Sequence, residues 1–292
     1  MPRPSFRGAI TALITPFRNG EVDYHRLRQQ VRFQIEQGID GLVPCGTTGE
    51  SPTLAFDEHK RVIETTIAEA AGRVPVIAGV GANSTKEALE LHRFAKSAGA
   101  AAGLSVNPYY NKPTQEGLYR HFMTLCEQVD LPIVLYNIPG RTGVTMSPQT
   151  VARLWHDGNI AAIKEATGDA NFASLIMQEC EVPVLSGDDP LTLPILSVGG
   201  VGVVSVLSNV LPGRVVELCR LALGGDFAGA RRIHHEVYEL TRTLFLDGNP
   251  AGAKAALQLL GRDSGELRLP LVEASEPTRR AIAAAATKLG LL

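Results

Sequence analysis

Eight short apolar runs punctuate the chain, and each gives way to a stretch with apolar residues at helical spacing. The runs cover residues 8–14, 41–45, 75–80, 101–106, 132–136, 160–164, 182–186 and 202–206. They are near-continuously apolar, as a parallel sheet covered on both faces requires. Between them, Leu27, Val31 and Ile35 recur on a helix at 23–37, which Asp23 can cap and Gly38 can end. Val62, Ile63, Ile67 and Ala70 stripe a helix at 57–71. Ser84 with Glu87 three residues on reads as a capping box, and Ser147-Pro148 as a cap with proline in the first turn. A further helix is expected at 115–129, and four more at 212–223, 227–246, 250–260 and 276–289.

Eight strand–helix units predict an α/β fold, a (β/α)8 TIM barrel. The barrel is expected over residues 1–224, carrying the active site, with 225–292 as an appended C-terminal helical layer. A doubly wound open sheet is the alternative, but no Gly-x-Gly-x-x-Gly follows the first run.

Composition narrows the classes. The 292 residues are 45% hydrophobic and 20% charged, with a net charge of −2. That is the make-up of an ordinary globular chain, without the basic face of a nucleic-acid binder. Residues 190–213 carry no charge, so a membrane span has to be considered, but Pro190, Pro194, Gly199, Gly200, Gly202 and Pro212 break the stretch. A short helix followed by a buried strand fits it better. Residues 1–17 show no leader pattern. Cys45, Cys126, Cys180 and Cys219 are far apart with no Cys-x-x-Cys pair, which points away from disulfides and structural zinc and towards a reducing cytoplasm.

The candidate chemistry starts from one lysine. Of Lys60, Lys86, Lys96, Lys112, Lys164, Lys254 and Lys288, only Lys164 falls in a strand-like run. Burial disfavours the charged form of an amine and leaves a nucleophile for carbonyls. On position alone, a strand-end lysine reaching into water is the commoner case, since ionisable side chains are mostly solvated. Barrel active sites lie at the C-terminal ends of the strands. There the second run ends in Gly46-Thr47-Thr48-Gly49-Glu50, whose hydroxyls and N–H groups can hold a small carboxylate or simply close a turn. The fourth run leads into Tyr109-Tyr110 and the fifth ends in Tyr136, followed by Arg141. A phenol can shuttle protons and a guanidinium can clamp a carboxylate. Together the set suits Schiff-base chemistry on a 2-oxo acid. His234-His235-Glu236 lacks a second ligand cluster at zinc spacing and reads as a solvated helix face. Gly199-Gly200-Val201-Gly202 precedes the eighth run and reads as a tight turn rather than a phosphate site.

Gly46-Thr-Thr-Gly-Glu50, Tyr136-Asn-Ile-Pro-Gly-Arg-Thr-Gly143 and Ile163-Lys-Glu-Ala-Thr-Gly168 resemble the dihydrodipicolinate synthase / N-acetylneuraminate lyase family of class I aldolases, over essentially the whole chain. Arg141 and Asn107-Pro-Tyr-Tyr-Asn111 look most like the branch that condenses pyruvate with L-aspartate 4-semialdehyde on the diaminopimelate route to lysine. The resemblance implies that Lys164 forms the Schiff base and that Tyr136 moves protons through Thr47 and Tyr110, the last reaching in from a neighbouring subunit. It implies that Thr48 binds the pyruvate carboxylate, that Gly187 and Val204 line the pocket, and that Arg141 holds the second substrate. It also implies no metal or organic cofactor, and a homotetramer built as a dimer of dimers. Ser51, His59, Asn83, Glu87 and Tyr109 resemble an allosteric lysine pocket, but Phe56 stands where lysine-inhibited members often carry a histidine. The rival readings are a lyase for sialic acid or a 2-keto-3-deoxy sugar acid, and a barrel that binds metabolites without catalysis.

Overall fold

A computed structural model describes residues 4–292; the first three residues of the stretch read as leaderless lie outside the described residues. In chain order the elements begin with β1 (Gly8–Ala12), a hairpin of β2 (Phe17–Arg18) and β3 (Glu21–Val22), α1 (Tyr24–Glu36), β4 (Gly41–Val43) and α2 (Phe56–Ala70). They continue with β5 (Ile77–Gly79), α3 (Thr85–Ala98), β6 (Ala102–Val106), α4 (Gln115–Gln128), β7 (Ile133–Asn137), α5 (Pro139–Thr142) and α6 (Pro148–Asp157). Then come β8 (Ile160–Glu165), α7 (Ala170–Glu179), β9 (Val184–Ser186), α8 (Thr192–Ser197), β10 (Gly202–Ser205) and α9 (Pro212–Leu223). α10 (Phe227–Thr243), α11 (Ala251–Leu259) and α12 (Glu276–Lys288) complete the chain.

Eight parallel strands pair in the order β4-β1-β10-β9-β8-β7-β6-β5. A parallel bridge between Leu42 and Val76, with the Leu42 N–H donating to the Pro75 carbonyl at 3.0 Å, brings the two ends together. The fold is a TIM barrel. All eight apolar runs of the sequence are its strands, and the hairpin after β1 is an element the pattern did not announce.

The caps explain several boundaries. Asp23 accepts the Arg26 N–H at 2.9 Å to start α1, and Ser147 accepts the Thr150 N–H at 3.2 Å to start α6 behind Pro148. The uncharged 190–213 stretch becomes α8 and β10, joined by a turn in which Gly199 takes φ +111°. No helix of the described residues is long and apolar enough to cross a membrane.

Side chains alternate inward and outward along each strand. Ile10, Val43, Ile77, Leu104, Val134, Ala162, Leu185 and Val204 fill the barrel interior. The outer shell is continuous with the helices that follow Gly224: Leu13, Val203, Leu240, Leu257 and Ile282 share one cluster. α10 packs on α9, and α12 packs on α10 and α11.

Candidate active site

Tyr136 and Lys164 stand directly opposite each other on β7 and β8. The register that places them there depends on an irregularity lower in the pair. Ile133 pairs with Ile160 but Val134 pairs with Ala162, so β8 carries one extra residue, Ala161. Were Ala161 paired in regular register with Val134, Tyr136 would face Ile163 and the amine would be off by one. Both side chains continue the inward rows of Val134 and Ala162. Lys164 is 5% exposed, with Nζ 4.0 Å from the centre of the Tyr136 ring. An amine over an aromatic face meets the negative side of the ring quadrupole.

Above the pair opens a cavity of about 360 Å³ lined by Thr48, Tyr136, Arg141, Lys164, Gly187 and Asp188 among others. Gly187 is needed on steric grounds. A Cβ there would lie 2.7 Å from the Ala166 Cβ and 3.1 Å from the Lys164 Cε, so a side chain would clash with Ala166 and press on the stem that carries the amine. Thr48 is buried, and its Oγ1 accepts a hydrogen bond from Asn249 Nδ2 at 2.9 Å. Arg141 sits on α5, where its guanidinium donates to the Asn249 carbonyl at 3.4 Å while remaining exposed. Asp188 borders the cavity with its carboxyl raised above the usual range, first by burial and then by neighbouring Asp189.

A buried polar network backs the site from the helix side. Asn107 Nδ2 donates to Asn137 Oδ1 at 3.0 Å, and Asn137 Nδ2 donates to Glu165 Oε2 at 3.2 Å. Glu165 Oε1 accepts the Thr167 N–H at 2.6 Å. These bonds tie together the C-terminal ends of β6, β7 and β8. Burial raises the Glu165 carboxyl, against the pull of the hydrogen bonds from Thr167 and Asn137.

The other sequence candidates spread out. Thr47 is half-buried in the turn after β4, its carbonyl accepting the Glu50 N–H at 3.1 Å. Val204 lies in the interior cluster with Tyr136 and Leu185, while the neighbouring Val206 borders the cavity. Tyr110 is 90% exposed at φ +73° and does not line this chain's cavity. Ser51 opens a single 3-10 turn. His59 is buried with Nε2 2.7 Å from the Gly79 carbonyl, and burial lowers its pKa. The Asn83 carbonyl accepts from Asn111 Nδ2 at 2.8 Å. The Tyr109 phenol is raised by burial and by the charge of Glu87. Phe56 is 37% exposed with the Lys60 amine over its ring at 4.7 Å.

The pattern of the sequence did not single out Asn249, Arg242 and Phe245, which reach the cavity from the C-terminal helical layer. Nor did it single out Lys254, which is fully buried. A signal was present. Residues 251–257 are apolar but for Lys254, and all of them are buried, so that stretch of α11 has nowhere wet to put the lysine.

A family model described as the dihydrodipicolinate synthetase family matches residues 5–289. The chain belongs to that family. A 4-hydroxy-tetrahydrodipicolinate synthase of Nitratidesulfovibrio vulgaris is 54% identical over 270 residues, which is 91% of this chain and 92% of that protein. Among family structures, a dihydrodipicolinate synthase from Aquifex aeolicus superposes with a TM-score of 0.97 at 48% identity, covering 98% of this chain and 99% of that one. The chloride-inhibited dihydrodipicolinate synthase from Acinetobacter baumannii, solved with pyruvate, superposes with a TM-score of 0.95 at 42% identity, covering 98% and 99%.

Proposed function

We propose that the protein catalyses the 4-hydroxy-tetrahydrodipicolinate synthase reaction, condensing pyruvate with L-aspartate 4-semialdehyde and releasing one water. The observation that carries this reading is the Tyr136–Lys164 pair at the floor of a cavity that also holds Thr48 and Arg141. Membership of the family supports the choice of reaction.

In this reading the Lys164 amine attacks the keto carbon of pyruvate, and water leaves to give an imine. The imine draws electrons from the methyl group, so a base removes a methyl proton and an enamine forms. Tyr136, in contact with the amine, is placed to carry these protons, with Thr47 and Tyr110 as relay. The Thr48 hydroxyl and the N–H groups of its turn receive the pyruvate carboxylate. Gly187 keeps clear the space beside the Lys164 side chain, and Val204 closes the pocket from below. The enamine carbon attacks the aldehyde of the second substrate, whose carboxylate Arg141 holds bidentately. The product's own amine then attacks the imine carbon and displaces Lys164.

Tyr110 supports an oligomeric site. A tyrosine at positive φ costs roughly 1–2 kcal/mol, and here its side chain lies almost wholly outside the fold. We read it as entering a neighbouring subunit's cavity within a homotetramer assembled as a dimer of dimers. The buried thiols Cys45, Cys180 and Cys219, none in a disulfide, suit a cytoplasmic setting. Ser51, His59, Asn83, Glu87 and Tyr109 form the proposed lysine-responsive pocket, with Phe56 weakening the response.

Purified protein given pyruvate and the semialdehyde should release the cyclic product, identified by mass spectrometry. Turnover only on sialic acid or a 2-keto-3-deoxy sugar acid would refute the choice of reaction. Mixing two weak variants, Lys164→Ala and Tyr110→Phe, under conditions of subunit exchange should restore activity. Hybrids no better than their parents would show that Tyr110 serves no neighbour.

A further inference from the structure

Among the described residues one ion pair is sealed from solvent, and it lies beside the cavity rather than in it. Lys254 Nζ and Glu50 Oε1 are 2.5 Å apart, both side chains fully buried. Every other ion pair among the described residues leaves both side chains partly in solvent. Lys254 Nζ also donates to the Glu266 carbonyl at 2.8 Å and lies 4.1 Å from the centre of the Phe17 ring. The second oxygen of Glu50 accepts the Arg268 N–H at 3.2 Å.

Such a pair is a poor source of net stability. Desolvating two charges costs several kcal/mol per ion, and apolar replacements of both partners are often neutral or stabilising. What the pair can supply is a fixed direction. Glu50 ends the turn that begins at Gly46, and the turn is bracketed by non-glycine residues in the left-handed region. Cys45 and Glu50 both have φ +55°. Each costs about 1–2 kcal/mol and persists only where the surroundings hold it. The segment just after β1 packs against the turn and bonds to it. The Thr15 hydroxyl donates to the Gly49 carbonyl at 2.7 Å, and a Cβ on Gly49 would lie 3.1 Å from the Leu13 carbonyl oxygen. The other holds come from the C-terminal layer. Lys254 grips the carboxylate of Glu50, and Asn249, at the head of the same segment, donates to the Thr48 hydroxyl at 2.9 Å.

We propose that Lys254 and Asn249 are positioning residues for the Thr47–Glu50 turn, so that the appended helical layer sets the geometry with which the turn receives the keto acid's carboxylate. The inference rests on the functional reading above. Neither residue needs to touch the reacting carbon. Lys254 acts through Glu50, and Asn249 acts through the hydroxyl that faces the ligand.

The test uses pyruvate alone. Borohydride reduction traps the imine, and the readout is the pyruvate concentration giving half-maximal trapping at Lys164. The double variant Lys254→Met/Glu50→Gln removes both charges together and strands neither. It should fold with a native circular dichroism spectrum, yet need about tenfold more pyruvate, a loss of about 1.4 kcal/mol in carboxylate binding. A pair that served stability alone would shift the thermal midpoint and leave the half-maximal concentration at the wild-type value; that result in a folded variant overturns the proposal. If the double variant does not fold, Asn249→Ala carries the same readout. Loss of one neutral hydrogen bond predicts about a threefold rise, and an unchanged value overturns the proposal. If the wild-type chain is not trapped at Lys164, the functional reading has failed and takes the proposal with it. Trapping of the wild type with no shift in the variants fails the proposal alone.

Discussion

Lys164 and Lys254 are both withdrawn from solvent, one 5% exposed and the other 0%; the first lines the cavity with Thr48, and the second pairs with Glu50 of the same turn. Lys254 has a carboxylate at 2.5 Å, a carbonyl at 2.8 Å and an aromatic face. Lys164 has an aromatic face and a cavity, and none of the ion pairs among the described residues includes it. The Lys254 amine is committed: burial lowers its pKa, and the charge of Glu50 opposes that shift. The Lys164 amine is placed where a carbonyl carbon can reach it. Burial alone therefore does not make a lysine a nucleophile. A buried lysine with a carboxylate holds structure, and one that faces space is available for chemistry.

The largest expected effect separates the two by activity. Lys164→Ala should abolish turnover, measured as product formation, while its thermal midpoint stays near that of the wild type, because no ion pair is broken and Asp189, the buried carboxyl that feels the amine, keeps its bonds from Ser205, Val206 and Leu207. Activity near the wild-type level would end the comparison.

The next effect runs the other way. Lys254→Met alone leaves Glu50 buried without its partner, a loss of about 3–5 kcal/mol. In a chain of this size that lowers the thermal midpoint by on the order of 10 °C. A midpoint unmoved by the single variant would mean that water or a shifted side chain satisfies Glu50, and the contrast between the lysines would weaken.

The smallest effect tests what burial does to a base that has no countercharge. Burial pushes His121 down to about 4, and it pushes His92 to about 4 against a hydrogen bond to the Leu131 carbonyl. Both folded values lie below the ordinary imidazole value, so the stability they contribute is fully present above pH ~6.5 and is lost as pH falls towards 4. Carboxyls raised by burial, Glu165 and Asp189 among them, act in the opposite sense. A difference measurement isolates the histidine. His92→Gln should flatten the acid loss of stability by up to about 1.4 kcal/mol per pH unit in that window. An identical slope in the variant would show that His92 titrates as it does in the unfolded chain.

The barrel was legible because a parallel sheet buries both faces, and eight apolar runs of the right length leave few other solutions. Lys164 was legible because it is the lysine in a strand, and inward parity then follows from Ala162. The bulge at Ala161, which brings it opposite Tyr136, was not, since an extra residue in an apolar run leaves no mark on the pattern. Tyr110 reads like any phenol at a strand end, and its exposure is a property of tertiary placement. Arg141 was visible from its motif, but its neighbour Asn249 was hidden, because the layer that brings it to the cavity follows the barrel in sequence. Lys254 fell into a helix whose alanines gave a weak stripe. Its burial comes from packing on several sides, and periodicity does not record that.

The most direct test is to reduce the protein with borohydride in the presence of pyruvate, digest it, and locate the modified lysine by mass spectrometry. The account predicts the adduct on Lys164 and none on Lys254. Labelling at Lys254 or at a surface lysine with Lys164 untouched, or no labelling at all, would contradict it.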